Sequence, residues 1–264
     1  MKRYLAPVAI VMMAATQSAA LDCDTGFRAF THAAGEDCIP ANPQRVVTLQ
    51  DQNALLPVME VGIVPVGSAG HLTDDGPVFR RMQGFDTSDV AFVGSYQGPD
   101  AEAVAALNPD LIIATPWPEG AYETYSKIAP TIVIDLFSQD MADALIQYAD
   151  AVGRKDRALK LQAEFEAEAR AIRNTYAEAL GTTTVSVVEY WDGSIAMVPA
   201  KQSLGLVFPG LAIIRSDFEN SLDDWTEVSP EILGENPVDM MILIATADDQ
   251  DHHVNRRSFF LGTG

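Results

Sequence analysis

Two stretches on either side of a long helical segment read as the same unit, and few folds are open to a chain built that way. The first runs Glu102-Ala103-Val104-Ala105-Ala106-Leu107-Asn108-Pro109-Asp110-Leu111-Ile112-Ile113. The second runs Glu231-Ile232-Leu233-Gly234-Glu235-Asn236-Pro237-Val238-Asp239-Met240-Met241-Ile242. Each is a short helix with Glu in its first turn, stopped at Asn-Pro, then an apolar strand. A proline disfavours helix at the residue before it, so the stop is built into the dipeptide. One copy is a generic helix–strand connection; two indicate lobes related by rough pseudo-symmetry.

The rest of the chain agrees with that division. Strands are expected at Arg45–Leu49, Val64–Gly67, Ala91–Val93, Asp110–Ala114 and Thr131–Asp135, with helices at Gln52–Val61, Ala101–Leu107 and Tyr122–Ile128. Short β-branched runs alternating with helices predict a parallel sheet covered on both faces. From Met141 to Leu180 the chain is rich in Ala, Glu, Lys, Arg and Leu, interrupted by Gly153. Leu161, Phe165, Ala169 and Ile172 recur at helical spacing there, the pattern of one long helix over Lys155–Leu180. The α/β pattern then resumes with strand Thr184–Tyr190, helices Ser203–Phe208 and Ser229–Gly234, and strand Asp239–Ala245. The expected fold class is α/β, with two Rossmann-like lobes on central parallel sheets joined by one long interdomain helix. The expected boundaries are a leader at 1–20, a first lobe at 21–138, a connecting segment at 139–180 and a second lobe at 181–264.

Met1-Lys2-Arg3 precedes an apolar run from Tyr4 to Ala15, and Ser18 and Ala20 stand at −3 and −1 of a cut before Leu21. That is the pattern of a cleavable export signal, with an apolar run too short to span a bilayer. The only cysteines, Cys23 and Cys38, both follow the cut. In an exported chain they read most simply as one disulfide. Lipid modification of Cys23 is the rival reading; it would want a small residue before the cysteine, and Asp22 is there. The 37 acidic residues outweigh 17 basic ones, giving a formal charge of −20. Nucleic acid and anionic lipid surfaces need clustered Lys and Arg, so both are excluded as partners. A soluble, periplasmic, monomeric protein is expected.

Several stretches in order resemble the periplasmic solute-binding proteins of iron-siderophore, haem and vitamin B12 ABC importers. They are Pro43-Gln44-Arg45-Val46-Val47, Gly62-Ile63-Val64-Pro65-Val66-Gly67, Val93-Gly94 leading to Glu102, and Asn108-Pro109-Asp110-Leu111-Ile112-Ile113. Lys127-Ile128-Ala129-Pro130, Tyr148-Ala149-Asp150-Ala151-Val152-Gly153 and Ser229-Pro230-Glu231 continue the series. The resemblance implies a ligand held between two lobes, with little opening and closing. It also implies docking on an inner-membrane permease through one surface glutamate per lobe, at the motif positions Glu102 and Glu231. An acidic residue in a first helical turn is also favourable by itself. Members continue beyond the Asp239–Ala245 strand with another strand–helix portion, so either a shortened second lobe or a truncated sequence is expected here.

A ferric siderophore brings its iron already coordinated, so the resemblance implies no protein metal ligand and no cofactor. The pocket would need aromatic walls and donors aimed at the iron-bound oxygens. Ligands in open α/β lobes sit beyond the carboxyl ends of the strands. The candidates there are Tyr96, Trp117, Tyr190, Trp191 and Trp225, with the adjacent pair Arg80 and Arg81 for an anionic group and Lys201 as a further cation. Each aromatic could equally be a half-buried core residue, and the arginine pair a solvated one. Haem, for which Tyr96 or His71 could supply the axial side chain, and cobalamin are the alternative ligands. Direct capture of a divalent metal would draw on His252-His253 beside Asp248, Asp249 and Asp251. No Gly-x-Ser-x-Gly, Gly-x-Gly-x-x-Gly, P-loop or His-Glu-x-x-His pattern occurs, so an enzyme is not expected.

Overall fold

The computed structural model describes residues 21–245 except 137, 192–193, 198 and 200–209. The leader, Lys201, the expected helix Ser203–Phe208 and the His252-His253 tail lie outside the described residues. The chain enters through an antiparallel hairpin, β1 (Phe27–His32) and β2 (Gly35–Pro40), with His32 opposite Gly35. Cys23 and Cys38 form a disulfide, with Cα atoms 5.6 Å apart, that ties the entering chain to β2.

The first sheet holds β3 (Val46–Thr48), β4 (Gly67–Thr73), β5 (Gly76–Val78), β6 (Ala91–Ser95), β7 (Gly98–Pro99), β8 (Leu111–Ala114) and β9 (Thr131–Val133). Their order is β7-β6-β4-β3-β8-β9, with β5 on β4. From β6 to β9 the strands run parallel, and β5 and β7 are short antiparallel additions. The crossovers are a π-turn at Asp51–Leu55 continuing into α1 (Leu56–Glu60), then α2 (Ala101–Ala106) and α3 (Ala121–Tyr125). Successive strand side chains face opposite ways, and here both faces are covered. Val46, Leu111, Ile113 and Ile132 pack towards α1 and α4 (Met141–Ala151), against Val58, Ala144 and Tyr148. Val47, Ile112 and Ala114 pack towards α2 and α3, against Val104 and Tyr125. Helix α4 therefore shares the first core. The Tyr148 hydroxyl donates to the Asn53 carbonyl, and burial first, then the Asp135 charge, pushes its ionisation well above the ordinary tyrosine range.

The strand expected at Val64–Gly67 begins at Gly67 instead and runs to Thr73, while Val64 is exposed in the preceding turn. Two glycines let β4 lie where it does. A Cβ at Gly67 would stand 2.4 Å from Leu107 Cδ1, and one at Gly70 would stand 2.7 Å from the Val78 carbonyl.

Gly153, at φ 69°, ends the α4 region, and α5 (Lys155–Thr175) follows for 21 residues, about 31 Å at 1.5 Å per residue. Ala158 and Leu161 near its start pack on the first core. Further along, Phe165 and Ala169 lie against Gly210, where an added Cβ would be 3.3 Å from the Phe165 ring. One helix thus contacts both regions. It ends earlier than the sequence pattern indicates: the backbone breaks at Tyr176 (φ −115°, ψ 25°) before α6 (Ala177–Leu180).

The second sheet contains β10 (Val185–Trp191), β11 (Ser194–Met197), β12 (Thr226–Val228) and β13 (Met240–Ala245) in the order β12-β11-β10-β13. Only β10 and β13 are parallel, and β11 and β12 extend the sheet antiparallel. Short helices α7 (Asp217–Asn220) and α8 (Pro230–Glu235) precede β12 and β13. The sequence echo appears as α2–β8 and α8–β13, each placing its strand beside the first strand of its own sheet. The aspartate opening each unit's strand does the same work. Asp110 accepts from the backbone N–H groups of Gln44 (2.6 Å) and Arg45 (2.9 Å), and Asp239 from the N–H and hydroxyl of Thr184 (both 2.8 Å).

Candidate ligand-binding site

The parallel strands of the first sheet all end on one edge, and their following residues converge there. Gln50 and Asp51 come after β3, His71 lies towards the end of β4, Tyr96 follows β6, and Thr115 and Trp117 follow β8. Asp51 is fully buried and gathers its neighbours. Its Oδ2 accepts from His71 Nδ1 at 3.0 Å and from the Arg80 backbone N–H at 2.8 Å, while Oδ1 accepts from the Gln52 N–H at 2.8 Å. The Tyr96 ring lies over His71 with centroids 4.3 Å apart, and the Tyr96 N–H donates to the Gly70 carbonyl at 2.7 Å.

Three polar atoms, on residues bonded to this aspartate or preceding it in the chain, are buried without a hydrogen-bond partner: Gln50 Oε1, His71 Nε2 and Arg80 Nε. A buried donor or acceptor left unmade costs about 1–3 kcal/mol, so folded chains rarely leave them. His32, the other described histidine, is the contrast. Its Nδ1 accepts from the N–H groups of Ala34 (3.2 Å) and Val133 (3.3 Å), and its Nε2 meets Asp37 Oδ2 at 3.0 Å. Asp37 in turn receives the Tyr122 hydroxyl at 2.6 Å, which raises the tyrosine's ionisation. His32 is fully partnered and pins the entry hairpin to the sheet edge; His71 is half-partnered.

The expected site residues separate into two groups. Arg80 and Tyr96 join the Asp51 cluster. Trp117 stands at the same strand-end edge with 60% of its surface exposed, on a loop held by the Thr115 hydroxyl donating to the Trp117 carbonyl at 2.7 Å. Arg81 is exposed, on a left-handed backbone (φ 60°) that turns it away from its neighbour's surroundings. On the second sheet, Tyr190 is half-buried on β10, and Trp225 is exposed with its Nε1 donating to Glu189 Oε2 at 3.0 Å. The backbone of Trp191 ends β10; its side chain lies outside the described residues. Glu102 and Glu231 are both exposed in the first turns of α2 and α8. Glu231's own backbone N–H, and then the Ser229 hydroxyl, hold its carboxyl below the ordinary range.

Gln50 and Asp51 were not among the candidates from sequence, and His71 was one only as a possible axial side chain for haem. Asp51 carried one usable signal, as a charged residue directly after a buried strand at the carboxyl edge. A shallow depression of about 530 Å³ lies elsewhere, lined by Thr175, Tyr176, Glu178, Ala179, Thr182 and Thr183 at the α5–α6 break. It brings together none of the expected residues. Among the described residues, no group of three or more His, Cys, Asp or Glu is placed to hold a metal ion, and no helix is long and apolar enough to cross a membrane.

A family model described as periplasmic binding protein matches residues 59–257. The probable siderophore-binding lipoprotein YfiY of Bacillus subtilis is 30% identical over 206 residues, covering 75% of this chain and 62% of that one. The iron(3+)-hydroxamate-binding protein FhuD of the same organism is 29% identical over 62% of this chain and 50% of its own length. This chain thus spans less than two thirds of either relative. Among solved structures, Staphylococcus aureus SirA complexed with staphyloferrin B superposes with a TM-score of 0.71 at 25% identity, over 83% of this chain and 76% of that one. The FhuD protein from S. pseudintermedius gives 0.70 at 24% identity, over 90% and 85%, a likeness of fold.

Proposed function

We propose, for a chain that belongs to the periplasmic binding protein family, that it is the substrate-binding component of an ABC importer and captures a ferric siderophore between its lobes. One observation carries this reading: the strand-end edge of the first sheet holds the Tyr96 and Trp117 rings together with Arg80, whose backbone is tied to Asp51 and whose buried Nε has no hydrogen-bond partner. A chelate that has already coordinated its iron asks for that combination, ring surface for its organic shell and a fixed cation for its iron-bound oxygens. The names of YfiY and FhuD and the ligand of SirA support the same cargo. Capture needs no protein metal ligand and no catalytic group.

Export through the 1–20 leader would deliver a soluble periplasmic monomer stapled by Cys23 and Cys38. Helix α5, packed at its start on the first core and later against Gly210, keeps the lobes' relative motion small. Glu102 and Glu231, one on each lobe, present the loaded protein to basic residues of the inner-membrane permease. The test is tryptophan fluorescence of the exported protein, titrated with ferric hydroxamates, ferric citrate, ferric catecholates, haem and cobalamin, and corrected for ligand absorption. Saturable quenching by a ferric chelate at micromolar or lower concentration is the expected result. Quenching by haem or cobalamin alone would replace the cargo, and a folded protein silent to all of them would overturn the reading.

A further inference from the structure

Asp51 decides what His71 can do. A carboxylate oxygen only accepts, so the 3.0 Å contact with His71 Nδ1 places a proton on Nδ1. In the neutral ring, Nε2 is then a bare lone pair. That atom is buried and unpaired, as are the donor Arg80 Nε, on a residue whose backbone meets the same Asp51 oxygen, and the acceptor Gln50 Oε1, on the residue before Asp51. Asp51 from the π-turn and Tyr96 from the end of β6 are set against His71, and Arg80, from the segment after β5, shares Asp51 Oδ2 with it through its backbone N–H. An anionic oxygen that reaches Arg80 Nε from the strand-end edge enters the same polar floor. It is repelled by the lone pair of a neutral His71 and attracted by Nε2–H of a charged one.

We infer that Gln50, His71 and Arg80 form the polar floor of the ligand site, and that the floor takes an anionic ferric chelate with uptake of one proton from solvent at His71 Nε2. Arg80 supplies the fixed positive charge, and His71 supplies a second charge only when the anion arrives. Gln50 Oε1 accepts from a hydroxyl or amide N–H on the chelate's periphery. Both charges are oriented through Asp51, which holds the Arg80 backbone and the imidazole with the same oxygen. This rests on reading that edge as the ligand face.

The sign follows from the linkage. Because the bound state carries the extra proton, affinity falls as pH rises, by at most about tenfold per pH unit. The experiment is calorimetric titration of the purified protein with ferric citrate, and separately with an uncharged ferric trihydroxamate. Each is run at about pH 6.5 and about pH 8, in two buffers of different ionisation heat. The same titrations with His71→Gln subtract the chelate's own protonation. The expected result is uptake approaching one proton per ferric citrate bound, absent in His71→Gln, with affinity lower at the higher pH. No net uptake, proton release, or the same uptake in the variant would overturn the inference while leaving the ferric-chelate reading intact. Binding of the uncharged trihydroxamate without ferric citrate would do the same. Failure of every ferric chelate in the fluorescence titration would remove the functional reading itself. As a check independent of any ligand, long-range proton–nitrogen NMR of the free protein at high pH must show His71 protonated at Nδ1; the other tautomer would also overturn the inference.

Discussion

The two sheets apply one plan to different amounts of apolar material. In the first, β3 and β8 are central, buried on both faces and continued by further parallel strands. In the second, β10 and β13 repeat the same parallel pair, with the same aspartate at the same register. Among the described residues the buried apolar side chains there are Val185, Val187, Val188, Ile195, Ala196 and Met197, with Ile213, Ile242 and Ile244 partly buried, fewer than in the first sheet. A buried polar device joins them. Fully buried Glu219 accepts from Arg215 Nη2 at 2.7 Å, from the Val187 N–H at 3.1 Å and from the Ser216 hydroxyl at 3.1 Å. Duplicated topology does not entail duplicated energetics. Among the described residues, the first sheet has an apolar cluster on each face, and the second adds a buried hydrogen-bonded staple to a smaller apolar set.

The largest expected effect tests the equivalence of the lobes in function. Reversing both Glu102 and Glu231 to Arg should abolish uptake while leaving chelate affinity unchanged, measured by radioactive iron accumulation beside the fluorescence titration. Uptake that survives the double reversal would remove the docking assignment, and unequal single reversals would show which lobe dominates. Glu219→Ala comes next. Removing one partner of a buried ion pair costs about 3–5 kcal/mol, and amide exchange should accelerate first in β10 and β13. Ile112→Ala in the first sheet should cost a comparable or smaller amount, about 2–5 kcal/mol, but with loss of protection spread over both of its apolar layers.

The smallest effect sharpens the comparison most. The Thr184 backbone N–H, and then its hydroxyl, hold the Asp239 carboxyl below the ordinary range. A carboxylate with a depressed folded-state value stabilises above its unfolded value and loses that contribution as pH falls through the folded one. Asp239→Asn should therefore lower the melting temperature at neutral pH and flatten its acid dependence below about pH 4. Asp110→Asn should lower the melting temperature less, because β3 and β8 keep their packed faces. Equal shifts for the two variants would break the contrast between the sheets.

Much of this fold is legible residue by residue. Leu111-Ile112-Ile113-Ala114 announces a strand buried on both faces, Asn108-Pro109 and Asn236-Pro237 end their helices, and Gly153 divides α4 from α5. The end of α5 is not legible, because Tyr176 through Leu180 has helical composition on both sides of the break. The strand Gly67-Ser68-Ala69-Gly70-His71-Leu72-Thr73 is not legible either, and the Asp51–His71 pairing was missed with it. Its glycines lower strand propensity, and they are there because Leu107 and the Val78 carbonyl come too close for a side chain.

The sequence alone determined the order of elements, the duplicated helix–strand unit, the long helix between its copies and the family resemblance. These depend on local periodicity and on residues adjacent in the chain. The tertiary structure decided which polar groups share Asp51. His71 and Arg80 reach that carboxylate from 20 and 29 residues away, across strands whose spacing is set by packing. It also decided that His32 is satisfied and His71 is not, because hydrogen-bond partners come from whichever backbone the fold brings within about 3 Å.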